Sequence, residues 1–438
     1  MTRLGAGSRW EIRGITAKRV RVFDPDSVTA RGAAETPPEA VGLGAEDVDA
    51  IWDEVVNFYR TGFHPAIGLC IRRRGQVILD RTIGHVRGNG PDDPADAPLV
   101  PATPSTLFNF FSGSKSVTAM LIHLLAERQL LHVDEPVASF IPEFGRRRKD
   151  RITIRDLLTH RAGLPAAPPG AANLDILQQP GKMLELIYDL EPVHRPGTVL
   201  AYQAVSSGFI FAELIQRVAG VGIRELLRRE ISEPLGMSHF NYGVPPERLG
   251  EVAVDAFTGP KLIWPIRDVF YNAFGVSVEE VIELSNDPRF RTAVVPSGNL
   301  IGTPDDICRF FEMLVSGGSF EGKRIFSVAT VHRAIEPQTF WQVDRVIRLP
   351  MSYSMGFMLG TDPVGLYGVW CGRAFGHVGL SNILAWADPE RDLSVAFMNS
   401  GKPFFALDTR HWPELVRRIS TRVPRDGDRL PGFASRER

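Results

Sequence analysis

The sequence predicts an α/β fold of the α+β type, with one antiparallel sheet built from both chain ends, helices on its faces and an inserted all-helical lobe. Three observations carry this prediction. β-rich runs occupy roughly residues 66–85 and return after residue 340. Between them the pattern is mainly helical, broken by Pro/Gly loops such as GLPAAPPGAANL. At 438 residues, the chain is longer than one hydrophobic core usually organises, so two lobes are expected.

Residues 1–44 read as an irregular N-terminal extension ending in ETPPEAVGLG. The main body is placed at 45–424, with an α/β lobe at about 45–110 and 340–424 and a helical lobe at about 111–339. A helix is expected in AEDVDAIWDEVVNFYRTG, with acidic residues early and Gly62 as its stop. AIGLCIRRRGQVILDRTIGH follows as two β-rich runs joined at Arg74-Gly75, a hairpin signal. NGPDDPADAPLVPATPS is a Pro/Asp-rich loop. Near the far end, SNILAWA and LSVAFMN flank DPERD and predict a second hairpin. WPELVRRISTRV closes the body as a helix, and 425–438 is a C-terminal tail.

Composition narrows the function. Lys plus Arg is 50 against 51 for Asp plus Glu, a net charge of -1, so no basic surplus points to nucleic acid. Three widely spaced cysteines, Cys70, Cys308 and Cys371, make neither a disulfide framework nor a zinc pattern and read as buried free thiols. No run of about 18 apolar residues would span a membrane. MTRLGAGSRWEIRGITAKRVRVF lacks the apolar core of a secretory signal, so a cytoplasmic location is expected.

Chemistry concentrates in FSGSKSVTAM. On a helix from Ser112 to Glu127, Val117, Met120, Leu121, Leu124 and Leu125 form one apolar stripe. Ser112 and Lys115 fall on the opposite side, in line with Ala119, Ile122 and Ala126, leaving only a narrow polar strip. A helix apolar nearly all round is a buried one. An i, i+3 pair shares a face, so the Lys115 amine can reach the Ser112 hydroxyl, while Ser114 and Ser116 point elsewhere. Burial lowers a lysine's pKa, as a lysine base requires. The bland alternative is a Ser N-cap with Lys115 reaching solvent.

Further motifs follow in order: ITIRDLLTHRAGLP, HRPGTVLAYQAVSSG, VPSGNLIGT and FGHVGLSNILAWA. With FSGSKS, this series resembles the serine β-lactamase-like and penicillin-binding-protein-like family, and within it the class C-like esterase branch, over roughly residues 45–420. The resemblance implies a β-lactamase/transpeptidase-like fold. It also implies Ser112 as nucleophile, Lys115 as the S-x-x-K lysine and Tyr202 as the tyrosine that helps move the proton. His377-Val378-Gly379 matches the third motif, placing His377 and Gly379 on a sheet-edge strand beside the substrate. The backbone N–H groups of Ser112 and Leu380 would form the oxyanion hole. His160 and Gly298 match landmarks that are mainly structural.

Two departures stand out. Ala204 replaces the Asn of Y-x-N, and His377 replaces a lysine, so both polarity and fixed positive charge are lost. These changes favour small neutral or apolar esters over anionic substrates. The implied activity is a carboxylesterase working through an acyl-enzyme, without cofactor or metal. A D-amino-acid peptidase or amidase, an acyltransferase or a weak β-lactamase of the same fold are the alternatives. A catalytically inactive ligand-binding relative is the alternative outside enzymes.

No serine sits in G-x-S-x-G, H-E-x-x-H is absent, and so is a phosphate-binding G-x-x-x-x-G-K-[ST] loop. PKLIWPIRDVFYNAFGV, at 260–276, supplies either an apolar substrate pocket or core packing. The expected partner is a small-molecule ester, and homo-oligomerisation is left open.

Overall fold

The computed structural model describes residues 10–12, 15–404 and 410–427. Strands Ala66–Arg73 and Gln76–Arg87 pair antiparallel across Arg74 and Gly75, whose φ angles are 49° and 79°. Two successive left-handed residues match the right-handed twist of the strands they connect, which is why this short loop makes a hairpin. The second hairpin joins Leu384–Asp388 to Leu393–Asn399, its turn braced by Arg391 donating to Asp388 at 2.7 Å.

The chain ends meet where Leu393–Asn399 pairs antiparallel with Ala66–Arg73. Phe375–Val378 and the two-residue strand Met358–Leu359 extend the sheet on one side. On the other, Gln76–Arg87 is followed by Thr29–Arg31. The central strands are buried throughout, so both faces are covered. Ile67, Leu69, Ile71, Val395 and Phe397 face helices Ala45–Arg60 and His411–Arg422. Cys70, Ala396 and Met398 face the opposite way, into the core shared with Pro304–Val315 and Ser114–Glu127. This is the period-two alternation of a strand. All three cysteines are buried and free.

Three features depart from the sequence-based expectations. The middle of the chain is mainly helical but holds a three-stranded sheet of Phe108–Asn109, Leu300–Gly302 and Phe240–Tyr242. Strands of two or three residues are too short to show alternation, so they are illegible in a sequence. The segment expected to be an irregular extension is woven onto the body. Ile15–Lys18 pairs with Ala256–Pro260, and Thr29–Arg31 forms a sheet edge beside an Arg81–Glu35 ion pair of 2.8 Å. Finally, the strand carrying His377 is not the outermost one. Met358–Leu359 covers Phe375 and Gly376 but stops before His377, which keeps an open edge at the cleft. Residues 1–9 of the extension and 428–438 of the tail lie outside the described residues. Among the described residues, no helix is long and apolar enough to cross a membrane.

Candidate active site

Strand Phe108–Asn109 runs into a 3-10 turn, Phe111–Gly113, and then into helix Ser114–Glu127. Ser112 thus stands in the turn rather than in the α-helix proper. The expected pairing survives, because side chains at i and i+3 eclipse in a 3-10 turn. Phe111 adopts φ 47°, a left-handed conformation that costs a non-glycine residue about 1–3 kcal/mol. Hydrogen bonds from Phe111 N–H to Asn109 Oδ1 (3.0 Å) and from Phe110 N–H to Leu300 O (2.8 Å) hold it there. Gly113 is required, since a Cβ would lie 2.2 Å from the Phe110 ring.

The other two serines are engaged with backbone. Ser114 Oγ donates to Phe111 O and accepts from Leu300 N–H at 2.9 Å, and Ser116 Oγ donates to Gly113 O at 2.7 Å. Ser112 instead lines a cavity. Lys115 Nζ lies 3.3 Å from Ser112 Oγ and donates to Ser297 O at 3.0 Å. The lysine is buried, and desolvation brings its pKa down to about 7. A large part of the amine is therefore neutral at neutral pH and can accept a proton.

Tyr202 completes the group. Its ring centre is 5.0 Å from Lys115 Nζ. Burial pushes its phenol pKa up, opposed by a hydrogen bond with Ser112. The phenol therefore keeps its proton at neutral pH and can donate it.

The segment around Tyr202 is pinned through consecutive N–H groups. Ala201 N–H donates to His160 O (3.0 Å), Tyr202 N–H to Asp344 Oδ1 (3.2 Å) and Gln203 N–H to His160 Nδ1 (3.3 Å). The His160 and Tyr202 rings pack at 4.6 Å. His160 therefore buttresses the tyrosine, in line with a structural role. Asp344 had no signal in the sequence; it is a lone acid 142 positions from Tyr202. Ser297 was also missed, because it acts through its carbonyl.

His377 is buried 6.4 Å from the Tyr202 ring, centre to centre. Its Nδ1–H donates to Val378 O at 2.8 Å. Burial first, and then Lys115, lower its pKa to about 3, so this histidine is neutral. The next residues bring the strand end against the Ser112 turn. A Cβ on Gly379 would sit 2.7 Å from Phe110 O, so glycine permits this approach. Leu380 lines the same cavity as Ser112.

That cavity has a volume of about 110 Å³. Ala204, Leu380, Phe274, Val276 and Phe290 give it an apolar wall, and among the described residues no charged one lines it. The stretch at 260–276 meets the pocket expectation at its end and neither expectation over much of its length. Phe274 and Val276 form pocket wall, whereas Ile263, Trp264 and Tyr271 are exposed rather than in a core. Among the described residues, no group of His, Cys, Asp and Glu could hold a metal ion.

An antiparallel sheet against a helical lobe, with a serine and a buried lysine one turn apart at their junction, defines a serine hydrolase of the β-lactamase and penicillin-binding-protein fold. The Beta-lactamase family model matches residues 53–416, and the chain belongs to that family. It is 28% identical over 348 residues to the esterase/beta-lactamase LipL of Mycobacterium tuberculosis, covering 76% of each chain. A family VIII carboxylesterase structure superposes with a TM-score of 0.71 at 24% identity, covering 86% of this chain and 98% of the other. A penicillin-binding protein homologue from Caulobacter crescentus gives the same TM-score at 24% identity, over 87% and 99%.

Proposed function

We propose that this serine hydrolase is a carboxylesterase that turns over small neutral or apolar esters through an acyl-enzyme on Ser112. The observation that carries this reading is the apolar cavity lined by Ser112, with Ala204 in its wall and no charged side chain among the described residues that line it. Neutral His377, near Tyr202 and Lys115, offers no fixed cation for a substrate carboxylate.

Ser112 Oγ attacks the ester carbonyl as its proton passes to the neutral Lys115 amine. The N–H groups of Ser112 and Leu380 receive the oxyanion; losing one such donor costs about 2.7–4 kcal/mol of barrier. The tetrahedral species collapses, the C–O bond to the alcohol breaks, and the departing oxygen takes a proton through Tyr202, which Lys115 resupplies. Water, deprotonated by the same pair, then releases the acid and restores Ser112. Positioned acid–base groups of this kind contribute about 10²–10⁴-fold.

The test is a panel of short p-nitrophenyl esters, nitrocefin and D-alanine amides, run on wild type and Ser112→Ala. Wild type turns over the esters fastest, and Ser112→Ala loses turnover while keeping its melting temperature. A fluorophosphonate probe should label the peptide containing Ser112. Faster turnover of nitrocefin or the amide than of every ester would refute the ester assignment. Wild-type ester turnover by Ser112→Ala would remove Ser112 from the chemistry.

A further inference from the structure

Two segments pack against the buried cluster of Tyr202, Ala204 and Tyr353. One contributes Phe274, and the other contributes Val346 and Ile347. Both also carry large apolar side chains that face water. Ile263, Trp264 and Tyr271 lie on the first; Phe340, Trp341, Val343 and Leu349 lie on the second. Trp264 is 72% exposed, Phe340 74% and Trp341 52%. Of the fourteen exposed large hydrophobic residues among those described, half fall in these two short stretches. Scattered exposed leucines are ordinary in a soluble protein, but grouped exposed tryptophan and phenylalanine mark a contact surface.

Charge distinguishes the kinds of contact. Between residues 261 and 271 the outward charges are Lys261, Arg267 and Asp268; between 340 and 349 they are Arg345 and Arg348, because Asp344 is fully buried. Four cations thus stand against one outward acid in a chain whose net charge is -1. A second copy docked face to face would set these cations opposite each other, since a two-fold interface pairs a patch with itself. Tryptophan and tyrosine prefer the headgroup level of a lipid surface, and arginine and lysine are drawn to anionic lipid. The first segment supplies Phe274 and Val276 to the wall of the apolar cavity, and the second packs on the cluster that holds Tyr202 and the cavity-lining Ala204.

We propose that the mouth of the catalytic cleft docks on an anionic lipid surface through Trp264, Tyr271, Phe340 and Trp341, with Arg345 and Arg348 engaging the headgroups. Apolar esters dissolved in that surface then enter the cavity without crossing bulk water. This inference rests on the ester reading for its substrate, but the docking is measured separately from the chemistry.

The experiment uses the full chain in three forms: wild type, Trp264→Ser/Trp341→Ser, and Arg345→Gln/Arg348→Gln. Each is floated with vesicles of phosphatidylcholine alone or with added phosphatidylglycerol, and assayed on a soluble p-nitrophenyl ester. Wild type floats with the anionic vesicles. At about 1 kcal/mol per cation near such a surface, the double arginine variant binds roughly 30-fold more weakly. The tryptophan variant loses flotation, and both variants keep soluble-ester turnover, which shows that they are folded. The proposal is overturned if wild type does not float, or if the variants float like wild type. It is also overturned if light scattering shows wild type as a dimer that the tryptophan variant breaks without vesicle binding. Ser112→Ala separates the two readings: it should float normally while inert, and an active Ser112→Ala would sink the ester chemistry without touching the docking result.

Discussion

Lys115 determines how the site responds to pH. Its amine is ordinarily protonated to about pH 10.5, and burial brings it to about 7 here. Because the attack needs the neutral amine, kcat/KM should fall as pH drops below about 7, with a slope of one proton, in a pH profile on a neutral ester. The same shift bears on stability with a definite sign. Between pH 7 and 10.5 the unfolded chain binds a proton that the folded chain does not, so stability rises with pH across that window. Below pH 7 the lysine is charged in both states and its full burial cost remains. Lys115→Met should therefore melt higher than wild type at pH 7 while losing ester turnover, as calorimetry and assay at one pH would show. Equal or lower melting would mean that the lysine is not buried at a cost. This pair was legible in the sequence because its geometry is local: three positions on an apolar helix start are enough to set it.

The element carrying Asp344 was not legible. Two-residue strands Gln342–Val343 and Pro350–Met351 form a small hairpin whose loop folds around the Asp344 carboxylate. Oδ1 accepts from Val346 N–H (2.8 Å) and Ile347 N–H (3.1 Å) as well as from Tyr202 N–H (3.2 Å). One buried acceptor thus ties the hairpin to the backbone of the tyrosine. Leaving buried donors unpaired costs about 1–3 kcal/mol, and a small displacement of a reacting group lowers rate steeply. Asp344→Ala should lower kcat for a short ester roughly 10-fold or more with little change in KM. Asp344→Asn keeps an oxygen acceptor facing the same N–H groups and should recover most of that loss. If alanine leaves kcat unchanged, the clamp braces the loop and does not position Tyr202. A lone aspartate in QVDRV offers no pattern from which such a role could be read, since its partner is distant in sequence.

At the scale of the whole molecule, both hairpins were legible because each carries its own turn chemistry in adjacent residues. The edge strand Thr29–Arg31 and the small inner sheet were not, because their partners are remote and their lengths show no period. The joining of the two chain ends has a consequence that neither hairpin shows alone. Helix His411–Arg422 lies against helix Ala45–Arg60 over the sheet, burying Leu415, Val416 and Ile419, with Val423 just beyond its end. Four such side chains, at about 2 kcal/mol each, contribute about 8 kcal/mol. A typical domain is stable by only about 5–15 kcal/mol in total. The helix also supplies His411 and Arg418 to the buried Glu54 carboxylate, at 2.6 and 2.9 Å. Removing one side of a buried ion pair leaves an uncompensated charge, which is itself strongly destabilising. A chain ending at residue 410 should therefore show no cooperative melt and should be cut by protease within Ala45–Arg60, far from the truncation. Glu54→Gln in the full chain, which removes the charge but not the helix, should lower the melting temperature by much less. A truncated chain that melts within a few degrees of wild type would show that the catalytic sheet stands without its closing helix.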